Sequence, residues 1–331
     1  MNLVCILSKK NFALLFSATL LASCGSTLPT DGESGGDIGG GSGDGDTAGS
    51  GTDASGLPPL ISEDDGCDQI DLLFVIDDSG SMAQEQANLN ANFPLFANVI
   101  DRFQTSTGEP IDYRLGVTTT GVTIEIREQL PFGITIDDDQ RGPDGALVNG
   151  ECSQESRPWL ERGDGDIVSN FSCMADIGTN GPLEEMPLEA IRRSIEDRVI
   201  DGTNADFYRD DALLGIVILT DEDDCSRQED RVNLSIGDDV CDDTHPVADY
   251  LDSLDRFKGD RSKWATAVIA GLETCNSELG SAGVATRLLD FAEQTGDNAV
   301  TSSICEGDLA NALQDALETF DAACQNFPPI E

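Results

Sequence analysis

Apolar positions along the chain fall into two alternating patterns. Asp71-Leu-Leu-Phe-Val-Ile76 is an unbroken apolar run of strand length, the kind found where both faces of a parallel sheet are covered. A helical stretch follows from Ala83 to Phe103, with Leu89, Phe93, Phe96 and Ile100 spaced three or four apart. Tyr113 to Thr119 and Thr123 to Arg127 read as strands joined at Gly121. Leu183 to Val199 reads as a helix with Leu188, Ile191, Ile195 and Val199 on one stripe. Leu213 to Leu219 and Trp264 to Ala270 are strongly apolar strands, separated by helical signal from Val247 to Phe257. Two further helices, Ala282 to Gln294 and Leu309 to Ala323, flank a weaker strand at Ala299 to Ile304. Strand and helix alternating in this way predict an α/β fold: an open, mostly parallel, doubly wound sheet with helices on both faces, over residues 66–327.

The first 65 residues do not share this pattern. Lys9 and Lys10 precede an apolar run from Phe12 to Ala22, too short for a permanent membrane span. Its end, Leu21-Ala22-Ser23-Cys24, resembles the lipobox of bacterial lipoproteins. The resemblance implies a signal peptide over residues 1–23 and a lipid on Cys24. Gly25 rather than Asp after that cysteine implies sorting to the outer membrane, with surface exposure as one possibility and either face left open. Residues 25–56 hold 12 Gly, 5 Ser and six acids among 32 positions, without Lys or Arg. Such a segment has little to bury and is expected to be a charge-swollen tether, within a stretch spanning residues 24–65.

Ten cysteines are present. With Cys5 in the signal and Cys24 lipidated, eight remain: Cys67, Cys152, Cys173, Cys225, Cys241, Cys275, Cys305 and Cys324. An even count in an exported chain, without close Cys-x-x-Cys pairs, predicts disulfides rather than a zinc cluster. Proximity pairs Cys152 with Cys173, Cys225 with Cys241 and Cys275 with Cys305, leaving Cys67 and Cys324 to join the ends, although eight cysteines allow many connectivities.

In doubly wound sheets, ligands gather beyond the carboxyl ends of the strands. After the first strand comes Asp77-Asp78-Ser79-Gly80-Ser81-Met82; after the strand ending at Leu219 comes Thr220-Asp221-Glu222-Asp223-Asp224. Both loops are expected at one edge, where hydroxyls and carboxylates suit Mg²⁺, Mn²⁺ or Ca²⁺. For Asp77-Asp78-Ser79 alone, a helix N-cap is the ordinary alternative.

At this point the sequence resembles the von Willebrand factor A (vWA) domains, especially those of exported bacterial lipoproteins. The hydrophobic strand followed by Asp77, Ser79 and Ser81 matches the first element of that family's metal-ion-dependent adhesion site. Thr220-Asp221 matches its late Thr-Asp. The loop threonine is best matched by Thr179 in Gly178-Thr179-Asn180-Gly181, with Thr118, Thr119 and Thr120 as competitors. The resemblance implies a Rossmann-like vWA fold and a metal held by Asp77, Ser79, Ser81, Thr179 and Asp221. Mg²⁺ or Mn²⁺ would be favoured. Glu222, Asp223 and Asp224 depart from the common Thr-Asp-Gly and leave open Ca²⁺, a second calcium-like neighbour, or a merely solvated loop.

The chain carries 63 acidic against 19 basic side chains, a net charge of −44, which excludes nucleic-acid binding through its own charge. One histidine, His245, excludes histidine-pair metal sites, and a surface loop is its ordinary reading. No Gly-Lys-Ser/Thr phosphate loop is present, and the Gly-x-Ser-x-Gly pattern at residues 32–36 falls in the tether. Asp137-Asp-Asp-Gln-Arg141 fails as a calcium loop because Arg141 takes a ligand position. Arg162-Gly163-Asp164 reads as a turn. Residues 129–177 look like a strand-poor, disulfide-tied insertion, expected to cap the metal edge and help select a partner. The functional expectation is a lipid-anchored, metal-dependent binding or adhesion module, not an enzyme, that recognises a Glu or Asp carboxylate on a protein partner. The alternatives are a structural component of an envelope complex and, less favoured, a metal-dependent hydrolase.

Overall fold

Every residue of the first strand after Gln69 is buried, and its neighbours on both sides run parallel to it. The computed structural model describes residues 66–101, 103–104, 108–149, 152, 157–277, 280–306 and 309–328. The signal, lipid and tether expectations, Cys24 included, lie outside these residues. In chain order the elements are β1 (Gln69–Ile76), α1 (Ala83–Asp101), β2 (Asp112–Thr119), β3 (Glu125–Leu130), β4 (Ile134–Asp137), β5 (Trp159–Glu161), α2 (Ile167–Ala175), α3 (Pro187–Ile195), α4 (Asp197–Ile200), β6 (Leu213–Leu219), β7 (Arg231–Ser235), α5 (Val247–Lys258), β8 (Trp264–Ala270), β9 (Cys275–Ser277), β10 (Gly280–Ala282), α6 (Thr286–Thr295), β11 (Ala299–Ser303) and α7 (Leu309–Gln325).

The central sheet has the order β11-β8-β6-β1-β2-β5, parallel throughout except for β5. Alternate residues of β1 enter two cores. Leu72, Phe74 and Ile76 pack beneath α1, α2 and α7, while Leu73 and Val75 pack beneath α3, α5 and α6. This is why the central strands read as continuous apolar runs rather than alternating ones. Phe74, Phe93, Phe96 and Phe171 meet largely edge to face, joining β1, α1 and α2. Gly215 in β6 is required by packing, since a Cβ there would lie 2.5 Å from Leu72.

Four disulfides join Cys67–Cys324, Cys152–Cys173, Cys225–Cys241 and Cys275–Cys305, the pairs that proximity suggests. The first ties the start of β1 to the end of α7 across 257 residues, at the sheet edge opposite the Asp77 loop. Cross-links of this kind contribute about 2–4 kcal/mol each by restricting the unfolded chain.

Several elements differ from the sequence reading. The helix expected from Leu183 begins at Pro187: proline fixes its own φ and pushes Met186 out of the helical region, to φ −129° and ψ 57°. It breaks at Glu196 and resumes as α4. The helix expected from Ala282 begins at Thr286, because Gly280–Ala282 pairs with β9. β3 leaves the central sheet and forms a separate sheet, β4-β3-β7.

Residues 129–177 hold only short strands, as expected, but these are joined to the rest of the domain. They supply β4, supply β5 as the antiparallel edge of the central sheet, and supply α2, whose Phe171 and Met174 enter the core. Much of this segment therefore completes the sheet and a helical layer instead of forming a cap. Its cysteine pair fixes α2 to the loop that precedes β5.

Candidate metal centre

The three central strands end together, and their ladder continues one residue into the loops. Asp77 N–H donates to the Leu219 carbonyl at 2.9 Å, and Thr220 N–H to that of Ile269 at 3.2 Å. Asp77 is therefore placed by strand pairing, fully buried, at the mouth between β1 and β6. Its Oδ1 accepts the Ser79 N–H at 2.8 Å, its Oδ2 accepts the Thr220 hydroxyl at 2.7 Å, and its carbonyl accepts the Gln86 amide at 2.9 Å. Ser79 Oγ and Ser81 Oγ lie 2.9 Å apart, and Ser81 donates to Asp221 Oδ1 at 3.1 Å. Asp77, Ser79, Ser81 and Asp221 thus form one connected group from loops about 140 residues apart.

Thr179 stands differently. It is half-buried in the loop whose Gly181 N–H donates to the Asp78 carbonyl at 2.6 Å, and a Cβ on Gly181 would fall 2.2 Å from an Asp78 carboxylate oxygen. The loop is held against the site, yet among the described residues the Thr179 hydroxyl makes no hydrogen bond to the connected group. Of its competitors, Thr118 donates to the Ala146 carbonyl at 2.9 Å, while the Thr119 hydroxyl receives the Gly121 N–H at 3.1 Å. Thr120 is buried, and its carbonyl accepts the Met186 N–H.

The geometry adds residues that the sequence reading missed. Glu85, in the first turn of α1, is buried and accepts the Ser281 N–H at 2.9 Å. Glu185 is 2% exposed; its backbone carbonyl accepts the Cys225 N–H at 2.8 Å. Acids at these positions carry no distinctive signal, since a helix start commonly holds them.

Burial dominates the electrostatics. It pushes Asp77 above the usual carboxylate range despite the Thr220 and Ser79 hydrogen bonds. Asp221 is pushed up to about 7, first by burial and then by Asp77 and Glu85. Asp78 rises to about 6 through burial and Asp77, and burial, Asp77 and Glu222 together push Glu185 well above the usual carboxylate range. Glu85 is raised by burial as well. The main charges acting on Asp78, Glu85, Glu185 and Asp221 are those of neighbouring carboxylates.

Four buried oxygens here, Asp78 Oδ1, Glu85 Oε2, Gln86 Oε1 and Glu185 Oε1, have no hydrogen-bond partner among the described residues. Unpaired buried acceptors are costly, and a cation is the partner that suits several at once. The donor set of hydroxyl, carboxylate and amide oxygens fits a hard divalent ion. Glu184 lies 3.7 Å from Cys241 Sγ, but disulfide bonding removes Cys225 and Cys241 as thiolate ligands.

The acidic run after Asp221 divides. Asp223 caps α6, accepting the Arg287 N–H at 2.9 Å, and buried Asp224 accepts the Leu188 N–H and pairs with Arg287 at 3.0 Å. These two are neither solvated nor turned to the site. Glu222 is exposed beside it. The other sequence motifs have structural roles. Arg162 lies over the Tyr113 ring and donates to the Ile100 and Ile111 carbonyls, and Asp164 pairs with Arg157. His245 is a partly exposed loop residue beside Glu229, and Asp137 is exposed and pairs with Arg127.

No family model and no curated protein matches the chain. Among solved structures, it is similar to proximal thread matrix protein 1 from the mussel byssus, at 12% identity over 77% of this chain and 48% of that one, with a TM-score of 0.41. A structure of the same protein with a zinc-occupied MIDAS motif also matches, at 12% identity over 79% and 47% of the two chains, TM-score 0.41. Manganese-loaded Plasmodium vivax TRAP protein matches at 11% identity over 76% and 74%, TM-score 0.33. The chain spans about half the length of the mussel protein it matches.

Proposed function

We propose that this domain is a divalent-cation-dependent binding module of the vWA kind. The observation that carries this reading is the connected group of Asp77, Ser79, Ser81 and Asp221 at the carboxyl end of the sheet, in which Asp77, Ser79 and Asp221 are buried, Ser81 opens to solvent, and the neighbouring charges acting on Asp221 are carboxylates. Ser79 and Ser81 offer neutral oxygens. Asp77 is already engaged by Thr220 and Ser79, so it suits water-mediated contact as well as direct coordination. Thr179, on the adjacent loop, is our candidate for a further neutral ligand.

Mg²⁺ or Mn²⁺ fits a small octahedral set, and Ca²⁺ is the alternative. Such an ion, when bound, supplies positive charge for a carboxylate from outside the chain, which this acidic surface would otherwise repel. The partner we propose is a protein that presents Glu or Asp, and partner and cation strengthen one another's binding by the same factor.

We further propose that the domain is held to a bacterial outer membrane by lipid on Cys24. Intact mass of membrane-extracted protein should find an acylated Cys24 at the mature N-terminus; an unmodified, soluble form counts against it.

The test of function is capture from envelope extract by the wild-type chain and its Asp77→Ala variant, with and without chelator. A partner lost with chelator and with Asp77→Ala supports the reading. A stoichiometric partner retained in both points to an assembly role. Phosphoester turnover that depends on Asp77 would make the protein a hydrolase.

A further inference from the structure

The small sheet β4-β3-β7 carries an apolar face that the domain covers only in part. Residues paired directly across a ladder share a face. Ile126 lies opposite Val232, Glu128 opposite both Leu234 and Ile136, and Leu130 opposite Ile134. Ile126 and Val232 are buried in the core that α3 and α5 cover, with Leu234 packed against it. Farther along the same face Leu130 is half-buried, while Ile134 and Ile136 are 55% and 44% exposed. Phe132, at the tip between β3 and β4, is fully exposed.

Phe132 also sits at φ 67° and ψ 19°, the left-handed region that a bulky residue occupies only at a cost. Gly133 beside it, at φ 74°, bears no such cost. Asn or Gly is the usual choice at positions of this kind. A phenylalanine here gains no burial among the described residues, so neither turn chemistry nor folding accounts for it.

Residues 129–136 are eight consecutive uncharged positions in a chain that is 25% charged. The surrounding charge is acidic: residues 125–139 hold Glu125, Glu128, Asp137, Asp138 and Asp139 against Arg127 alone, and Arg127 pairs with Asp137 at 3.2 Å. Arg231, on the neighbouring β7, is likewise paired with Glu125. An apolar centre inside a polar rim is the anatomy of a protein interface, and an acidic rim is complementary to Lys and Arg. A second copy of the chain, at a net charge of −44, or an anionic bilayer would meet this rim with like charge. β4 is also an edge strand, with β3 as its ladder partner among the described residues. Such an edge offers main-chain hydrogen bonds to an extended segment, whose alternate side chains fall on the two faces.

We propose that β4 and the Phe132 tip dock an extended segment of a partner protein in which apolar residues alternate with Lys or Arg. The apolar side chains cover Phe132, Ile134 and Ile136. The basic ones fall on the other face, where alternation along β4 places Asp137. This surface goes beyond the cation site and shares no residue with the connected group at Asp77.

The probe is a short, end-capped peptide of alternating Leu and Lys, titrated calorimetrically into the full-length protein in chelator, so that the outcome does not depend on bound metal. Peptides with Ser in place of Leu, or Glu in place of Lys, serve as comparisons. Phe132→Ser, and the double substitution Ile134→Ser with Ile136→Ser, should each weaken Leu–Lys binding at least about tenfold at unchanged net charge. Ile200→Ser, at an exposed apolar position on α4, should bind as wild type does. The Ser–Lys peptide should bind all four proteins equally and weakly, and the Leu–Glu peptide none of them. The substituted side chains are exposed, so melting temperatures should stay at the wild-type value.

Leu–Lys peptide bound equally by wild type and the tip variants reduces the effect to bulk charge and overturns the proposal, as does no binding at all. Phe132-dependent binding to phosphatidylcholine vesicles overturns it in favour of a bilayer. A Phe132-dependent dimer in sedimentation velocity overturns it in favour of self-association. Each of these results leaves the Asp77 site standing, and failure of metal binding at Asp77 leaves this surface standing.

Discussion

The two ends of β1 bury an aspartate each and treat it in opposite ways. Asp71 is 1% exposed and receives the Arg209 N–H at 2.7 Å and its guanidinium at 2.7–2.8 Å, with Lys258 also acting on it. Asp77, six residues on and no more exposed, is met among the described residues by the Thr220 hydroxyl and the Ser79 N–H, with no Arg or Lys paired to it. Burial is the largest influence on both and raises both. At the first end the chain carries its own countercharge; at the second it does not. The acid at the base therefore belongs to folding, and the acids at the top await a cation from solution.

The largest way to break this comparison is to remove the internal countercharge. Arg209→Ala leaves Asp71 buried and unpaired, and the expected loss is about 3–5 kcal/mol in urea unfolding, the same with or without divalent ions. At the top edge the countercharge is external, so stability there should follow the ion. At a hundredfold excess over its dissociation constant, one ion adds about 2.7 kcal/mol, and this gain should vanish in Asp77→Asn, as read by unfolding in chelator and in Mn²⁺.

The pH dependence has the sign set by raised carboxylates. Asp221 titrates near 3.8 when unfolded and at about 7 when folded without metal, so between these values the folded chain binds more protons. The metal-free domain should therefore lose stability as pH rises from about 4 to 7. Saturating cation should remove that loss, because the ion replaces the proton. Melting curves across this range, in chelator and in Mn²⁺, check both statements. The smallest effect concerns the acids turned away from the site. Asp223→Ala should cost about 1 kcal/mol through the lost cap on α6, with metal binding unchanged in calorimetry.

Legibility in the sequence followed burial. β6 and β8 run over the stretches read from sequence because an apolar run on two covered faces ends where the cover ends. β4, β7, β9 and β10 were missed: each has five residues or fewer, too few to show a period, and β7 pairs with β3 about 100 residues before it. The segment around β5 looked like an insertion because a three-residue edge strand leaves almost no period to read.

The same holds at the site. Asp77, Ser79, Ser81 and Asp221 were readable because strand ends in a doubly wound sheet point to one edge. Glu85 and Glu185 were not, as nothing local separates an acid that caps a helix from one that faces a cluster. Asp223 and Asp224 looked like Glu222 in sequence, and only the distant Arg287 distinguishes them.

The claim that the top edge is completed by a cation is tested most directly by locating the ion. Crystals of the protein grown with Mn²⁺ and measured at the manganese absorption edge should give an anomalous peak within about 2.6 Å of Ser79 and Ser81 hydroxyl oxygens, beside Asp221. Crystals at saturating Mn²⁺ with this edge accessible and no such peak, or a peak only at exposed carboxylates elsewhere, would contradict the account.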